Sequence, residues 1–194
     1  MIKKQSIIRE SKEILGLLND YEKALTILRK YDDSELKAPK GKKTKFVLKY
    51  EDCRNVVLEL RKSLFISAKG GSASGGKNNL AQSLFGQERG GMFEGIIKNT
   101  YQTFDKKYLY TSIEERAAHL FYFLVKDHPF SDGNKRIGAF MFVYFLDKSE
   151  YLSGKNGEKK IDNNSLVALT LLIAESNPIE KETMIKIIMN LINN

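Results

Sequence analysis

The sequence has little of three things that often mark a protein's chemistry or surroundings: cysteine, histidine and long apolar runs. Its single cysteine, Cys53, excludes an internal disulfide framework and a CxxC zinc motif. Neither His119 nor His128 has a second histidine at metal-site spacing, which argues against a transition-metal site. The longest apolar run, 139–146, is far shorter than the ~20 residues that cross a bilayer, and no basic-then-apolar leader follows Met1. We therefore expect a protein that has no membrane segment and that works in the reducing cytoplasm, with delivery into a host or target cell as the open alternative.

The chain is basic, with a formal charge of +8 at pH 7 and a pI near 9.4. This balance raises the chance of an acidic or nucleic-acid partner without establishing one. Pro39 and Gly41 indicate a loop in the segment where six lysines are concentrated: Lys37, Lys40, Lys42, Lys43, Lys45 and Lys49. Only Phe46 lies between these lysines, so they do not alternate with aromatic residues in the way that base-stacking platforms do. We interpret the segment as a solvated basic loop, with nucleic-acid binding as the less favoured interpretation.

The chain length of 194 residues, 42% of them hydrophobic, suits a single domain, 1–194, with one substantial core. Apolar residues at three- and four-residue intervals predict helices within 1–66, from about Ser6 to Tyr31 and from Asp52 to Ile66. The glycine- and serine-rich stretch 67–79 is predicted to be a flexible loop. It contains the string GxxxxGK, but Asn78 stands where a phosphate-binding P-loop needs a Ser or Thr, so the flexible loop is preferred.

Residues 80–194 are predicted to form the core of the domain. Glycines interrupt Leu80 to Phe104, which predicts a small hairpin or an ordered loop. A polar start with early acids and the apolar pattern behind it predict a helix from Thr111 to Asp127. Further apolar periods predict helices at about 134–146, 163–175 and 180–191. The predicted fold class is therefore mainly α.

Residues 128–136, HPFSDGNKR, carry a different kind of chemistry and are called the signature segment. An imidazole such as that of His128 can take up a proton near neutral pH, and Asp132 offers oxygens to Mg²⁺, which usually binds one or two carboxylates plus substrate phosphates. Gly133 lets backbone N–H groups approach an anion, while Lys135 and Arg136 place positive charge in the first turn of the next helix. This combination predicts a site that handles a phosphate-containing group.

The signature segment resembles that of the Fic/Doc, or Fido, family, HPFx[D/E]GN[G/K]R between two helices, and it matches every fixed position. The resemblance implies a Fido-type helical bundle with a small β-hairpin flap, ATP as the substrate and Mg²⁺ as the cofactor. It implies that His128 deprotonates a hydroxyl of a protein target, that Asp132 holds Mg²⁺ and that Phe130 is a structural anchor. The looser strings 101–105 and 174–178 resemble the Fic-like part of the RhuM virulence-protein group. The residues that the resemblance assigns to the nucleotide phosphates are Ser131, Gly133, Asn134, Lys135 and Arg136.

Two departures from the AMP-transferring members bear on which group is transferred. Many of those members continue the signature with xxR, whereas here Ala139 stands at the position of the second arginine. Lys135 replaces a glycine, as in Doc-type members, which phosphorylate their target. The resemblance implies transfer of AMP from ATP to a protein hydroxyl, with Doc-like phosphoryl transfer as the alternative. A noncatalytic basic nucleic-acid-binding or toxin–antitoxin module with a vestigial loop is the alternative from another class.

The resemblance also bears on partners. The region from Gly91 to Phe104 is the candidate flap that docks the target, because an extended peptide can pair with the main chain beside a site. Some family members are inhibited by a glutamate in the pattern [S/T]xxxE[G/N]. The string 6–11 approaches this pattern but ends in Ser, and Glu175 is preceded by Leu171 where the pattern needs Ser or Thr. Inhibition from within the chain is therefore not favoured, and a separate antitoxin-like inhibitor is left open.

Overall fold

The computed structural model describes Asn19 and residues 22–67 and 83–193. Within the chain it distinguishes two units, Met1–Ala38 and Pro39–Asn194, and each is described by itself. The expectation of a single domain stays a prediction.

The first unit has a helical stretch at 22–32, which falls within the helix predicted from Ser6 to Tyr31. After this stretch the backbone N–H of Glu35 donates to the carbonyl of Lys30, at 2.8 Å. The earlier part of the predicted helix lies outside the described residues. Apart from its first residue, so does the flexible loop predicted at 67–79.

The second unit is mainly helical and carries a small two-stranded antiparallel sheet, which confirms the predicted fold class. Its described helices were predicted to within a few residues, except the one at 92–99. No helix in the described part of the chain is long and apolar enough to cross a membrane. In chain order the elements are α1 (Tyr50–Ser67), α2 (Met92–Asn99), β1 (Thr103–Phe104), β2 (Lys107–Tyr108), α3 (Ile113–Lys126), α4 (Asn134–Lys148), α5 (Asn163–Glu175), a 3₁₀ turn (Pro178–Glu180) and α6 (Lys181–Ile192).

Helix α3 is the centre of this unit, because it is buried along most of its length and packs against α2, α4, α5 and α6. The rings of Phe121 on α3 and Phe142 on α4 stack with their centroids 4.6 Å apart. Near the end of α3, Gly138 lets α4 come close: a Cβ added there would lie 2.7 Å from Cγ2 of Val125. This close approach fixes the two helices that the signature segment connects.

The start of α3 follows from its sequence. Ser112 is the N-cap residue, and its hydroxyl accepts from the backbone N–H of Glu115 at 3.1 Å. The side chain of Glu115 in turn accepts from the backbone N–H of Thr111 at 2.8 Å. Polar side chains thus satisfy backbone N–H groups at the start of α3, and this fixes where the helix begins.

Backbone contacts anchor the lysine-rich segment. The N–H of Lys42 donates to Oε2 of Glu114 at 2.8 Å, and the carbonyl of Lys42 accepts from the N–H of Ile113 at 2.7 Å. Farther along, the N–H of Leu48 donates to the hydroxyl of Tyr101 at 2.7 Å. The segment was predicted to be a solvated loop. Its side chains are mostly exposed, as expected, but its backbone is hydrogen-bonded to α3 and to Tyr101, which precedes β1.

Glu114 is a fully buried carboxylate that collects these donors. It accepts from the Lys42 backbone and, through Oε1, from the hydroxyl of Tyr151. We expect Glu114→Gln to lower the free energy of unfolding by about 1–3 kcal/mol, because an amide nitrogen would face one of two buried donors. Urea denaturation followed by circular dichroism measures this loss, and Glu158→Gln on an exposed loop is the control. Equal midpoints for both variants would show that the buried carboxylate is not needed.

Candidate active site

The signature segment joins the end of α3 to the first turn of α4, and it lines an open concavity of about 320 Å³. The structure thus brings most of the predicted site residues to one surface. Only Phe130 is absent from the lining, since its side chain is buried in the core at 1% exposure. The residues that line the concavity are His128, Ser131, Asp132, Gly133, Asn134, Lys135 and Arg136.

Phe130 lies in the core below the concavity, with its ring centroid 4.8 Å from that of Phe93. Its backbone exchanges two hydrogen bonds with the side chain of Asn134: the Phe130 N–H donates to Oδ1 at 2.8 Å, and Nδ2 donates to the Phe130 carbonyl at 2.9 Å. The amide group of Asn134 is therefore engaged in holding the loop. A phosphate-binding role for Asn134 would fall to its backbone N–H.

A second segment, residues 85–89, lies along the signature segment and was not predicted as part of the site. The N–H of Arg89 donates to the carbonyl of Pro129 at 2.8 Å, and the N–H of Ser131 donates to the carbonyl of Gln87 at 2.9 Å. The N–H of Gly86 donates to the carbonyl of Asp132 at 3.1 Å. These backbone bonds give the loop a rigid partner along its length.

Glu88 fixes segment 85–89 to the helices around it. Its carboxylate accepts from the hydroxyl of Tyr50 on α1 at 2.6 Å and from the N–H of Glu94 on α2 at 3.1 Å. The hydrogen bond to this carboxylate raises the pKa of Tyr50 to about 12. A cavity of about 270 Å³ lies here, lined by residues that include Arg54, Glu88 and Phe130. Segment 85–89 is therefore fixed to α1 and α2 as well as to the loop.

Helix α4 begins with an anion-binding geometry. Gly133 at its N-cap has φ 89°, and no side chain caps the helix there. A Cβ at this position would lie 2.6 Å from Cδ2 of Phe85, so the residue must be glycine for two separate reasons. Free N–H groups and the helix dipole make such an uncapped N-terminus a ready site for phosphate.

The charged side chains at this helix start can exchange partners. Nη2 of Arg136 lies 3.2 Å from Oδ2 of Asp132, with the side chains 52% and 40% exposed. A pair so exposed contributes only about 0–1 kcal/mol, so incoming ligands can separate it. Lys135 is also exposed. A phosphate can therefore take the cations while Asp132 remains free to bind a metal.

The donor set fits Mg²⁺ only together with a substrate. The described residues hold no group of three or more His, Cys, Asp or Glu side chains that could bind a metal without help. Asp132 supplies one carboxylate at the rim of the concavity, beside the uncapped start of α4. Mg²⁺ commonly uses one or two carboxylates plus substrate phosphates and water, which is the arrangement that this site allows.

His128 is exposed and has φ 50°, in the left-handed region that non-glycine residues seldom adopt. It also precedes Pro129, and proline further restricts the residue before it. Just before this position, Nζ of Lys126 donates to the carbonyl of Ala174 at 3.0 Å and to that of Ser176. These bonds tie the end of α3 to the end of α5. The packing thus holds His128 in a strained conformation at the edge of the concavity.

The candidate flap differs from the prediction in position. Within the predicted range, Met92–Asn99 is helical because Phe93, Ile96 and Ile97 are spaced to bury one helical face. The hairpin follows it, and Tyr108 of β2 places its ring 5.2 Å from the guanidinium of Arg116. Arg116 lies about 15 Å of helix rise before the end of α3. The hairpin therefore packs near the opposite end of α3 from His128, and segment 85–89 is the one beside the loop.

The sequence model of the Fic/DOC family matches residues 55–146, a range that includes most of α1, segment 85–89, α3 and the whole signature segment. No curated protein and no solved structure gives a significant match to the chain. The comparisons do not confirm the further resemblance to the RhuM group. The family match over the segment that carries the loop supports assignment of this part of the chain to the Fic/DOC family.

Proposed function

We propose that this chain is a Mg²⁺- and ATP-dependent transferase that moves AMP from ATP onto a hydroxyl side chain of a protein target. One observation carries the proposal: an exposed histidine, a carboxylate and an uncapped helix start with two cations line the same concavity. The match to the Fic/DOC family supports transferase chemistry of this type. The signature segment is held by its own Asn134 side chain and by backbone hydrogen bonds to residues 85–89. Such rigid support is what precise positioning of reacting groups requires.

In the proposed reaction His128 accepts the proton of the target hydroxyl as the oxygen attacks the α-phosphorus of ATP. A P–O bond forms to the target, and the bond to the β-phosphate breaks with pyrophosphate as the leaving group. Lys135, Arg136 and the N–H groups at the start of α4 offset the negative charge on the phosphates. Asp132 would hold Mg²⁺, which when bound adds positive charge beside the phosphates.

Phosphoryl transfer is the second candidate, and two residues favour it. Lys135 is an exposed ammonium at the helix start, and it can hold a phosphate in place as a mobile point charge. Ala139 offers no positive charge one turn later, where AMP-transferring members often have arginine. With fewer fixed cations, the position of the triphosphate decides whether the α- or the γ-phosphorus faces His128.

Labelled ATP distinguishes the two reactions. We expect cell lysate incubated with the protein, Mg²⁺ and α-³²P-ATP to give His128-dependent labelled protein. With γ-³²P-ATP we expect no label beyond that from the lysate's own kinases, which lysate without the protein measures. Label from the γ position alone would establish phosphorylation instead. His128→Ala tests dependence on the site, and Lys155→Ala on a distant exposed loop is the matched control. Absence of His128-dependent label from both nucleotides would count against the transferase and favour a noncatalytic module.

A further inference from the structure

The lysine-rich segment 40–49 and the hairpin lie side by side on the second unit, and together they are called the basic-aromatic face. They are linked through Tyr101, which precedes the hairpin: the N–H of Leu48 donates to the hydroxyl of Tyr101, and the Tyr101 ring centroid is 6.4 Å from that of Tyr108. Residues 40–49 and 103–108 are thus neighbours in the fold although more than fifty positions separate them in sequence. In the sequence alone, the lysines of 40–49 are far from the aromatic residues of the hairpin.

This face has an excess of positive charge with few partners. Segments 40–49 and 103–108 contain a single acidic residue, Asp105. The lysines that form ion pairs in the described part of the chain are elsewhere, on α1 and α2. Lysines that are not neutralised by nearby carboxylates attract a polyanion, and dissolved salt weakens this attraction. The exposed lysines of the face without an ion pair among the described residues are Lys40, Lys42, Lys43, Lys45, Lys49, Lys106 and Lys107.

An exposed aromatic ring lies on the hairpin beside Lys107. Phe104 is 77% exposed, although it belongs to a paired strand. Its register partner across the hairpin is Lys107, so the ring and the ammonium share one face of the sheet. Asp105 and Lys106 form the turn, both with positive φ, as in the tight turns that suit hairpins. The strand pairing and the tight turn therefore fix the backbone that carries the exposed Phe104 ring.

The other side of the hairpin is attached to the fold. Tyr108 places its ring 5.2 Å from the guanidinium of Arg116, and Tyr101 lies 4.6 Å from the same group. Because successive strand residues alternate in direction, Phe104 points away from this contact. The hairpin thus uses one face for packing and leaves the other, with Phe104 and Lys107, to solvent.

We propose that the basic-aromatic face binds single-stranded nucleic acid, with the lysines on the phosphates and Phe104 stacked on a base. A strand with unpaired bases satisfies both features, since phosphate tracks along a basic groove while bases stack on exposed rings. An acidic peptide would use the lysines but would leave Phe104 unoccupied. The face lies toward the end of α3 away from His128, so binding here does not require transferase activity.

Fluorescence anisotropy with a fluorescein-labelled twenty-nucleotide thymidine strand tests the proposal at several salt concentrations. We expect tight binding at low salt that weakens as salt rises. Replacing Lys43 and Lys45 by Gln should make the slope of log K against log salt less steep by about 1.4, which is two phosphate contacts on a single strand. Phe104→Ala should weaken binding at least about fivefold by loss of stacking. His128→Ala should bind like the wild-type protein.

The controls separate site binding from net charge. Lys62→Gln with Lys98→Gln removes the same charge from exposed positions on α1 and α2, and it should leave the slope nearly unchanged. An abasic strand of the same length should bind more weakly and should not respond to Phe104→Ala. Equal loss in both lysine pairs, indifference of the thymidine strand to Phe104→Ala, or equal binding of poly-glutamate would each overturn the proposal. Circular dichroism confirms that every variant is folded.

Discussion

His128→Gly is expected to abolish transfer while leaving the protein at least as stable as the wild type. Loss of the base should lower the rate at least about 100-fold, the lower range for general base catalysis. The left-handed conformation of His128, with φ 50°, costs a side-chain residue about 1–2 kcal/mol, and glycine avoids that cost. The greater freedom of glycine in the unfolded chain offsets about 0.5–1 kcal/mol of this gain. The net change is about 0–1.5 kcal/mol in favour of the variant.

His128→Ala is the matched comparison. Alanine removes the imidazole but keeps a Cβ in the same strained conformation, so it should be as inactive as the glycine variant and no more stable than the wild-type protein. Thermal unfolding should place the glycine variant above the alanine variant by about 2–4 °C per kcal/mol. If His128→Gly unfolds below His128→Ala, the backbone at this position is not strained. If either variant retains full labelling activity, His128 is not the base.

The sequence predicts the helices and the chemistry of the loop because both depend on residues close together in the chain. Apolar spacing is enough for α3 and α4, and the signature segment has its charged groups within nine positions. The same local pattern places the hairpin too early in the chain, since glycines at 90, 91 and 95 indicate broken helical structure. Gly91 instead starts helix α2 with φ 77°, and the buried spacing of Phe93, Ile96 and Ile97 continues it.

The missed parts of the site depend on contacts between distant residues. Segment 85–89 binds the loop through backbone groups, and backbone pairing leaves no side-chain pattern that a sequence could show. The amide of Asn134 is engaged by Phe130, a role that the family pattern does not reveal. The lysine-rich segment comes close to the hairpin only through the contact of Leu48 with Tyr101. In each case the tertiary fold, and not local propensity, decides what a residue does.

Gly133→Ala is the second large expected effect, because two penalties meet at one atom. Alanine must adopt φ 89°, and its Cβ would lie 2.6 Å from Cδ2 of the buried Phe85 ring. We expect a loss on the order of 2–4 kcal/mol in the free energy of unfolding, from backbone strain and overpacking together. The start of α4 must move to relieve the contact. A displacement near 1 Å at a reacting group can reduce the rate about 100-fold, so labelling should also fall.

Gly157→Ala separates the two penalties, since Gly157 has φ 79° and nothing within 4 Å of an added Cβ. It should lose only the backbone part, about 1–2 kcal/mol. Phe85→Leu removes the ring atoms that meet the new Cβ, so the Gly133→Ala and Phe85→Leu double variant should be more stable than the two single losses predict, by about 0.5–3 kcal/mol. Urea midpoints of the four proteins in this cycle measure the coupling. Strict additivity would mean that the ring does not fix the helix start, and the strain at Gly133 would then lie in the backbone alone.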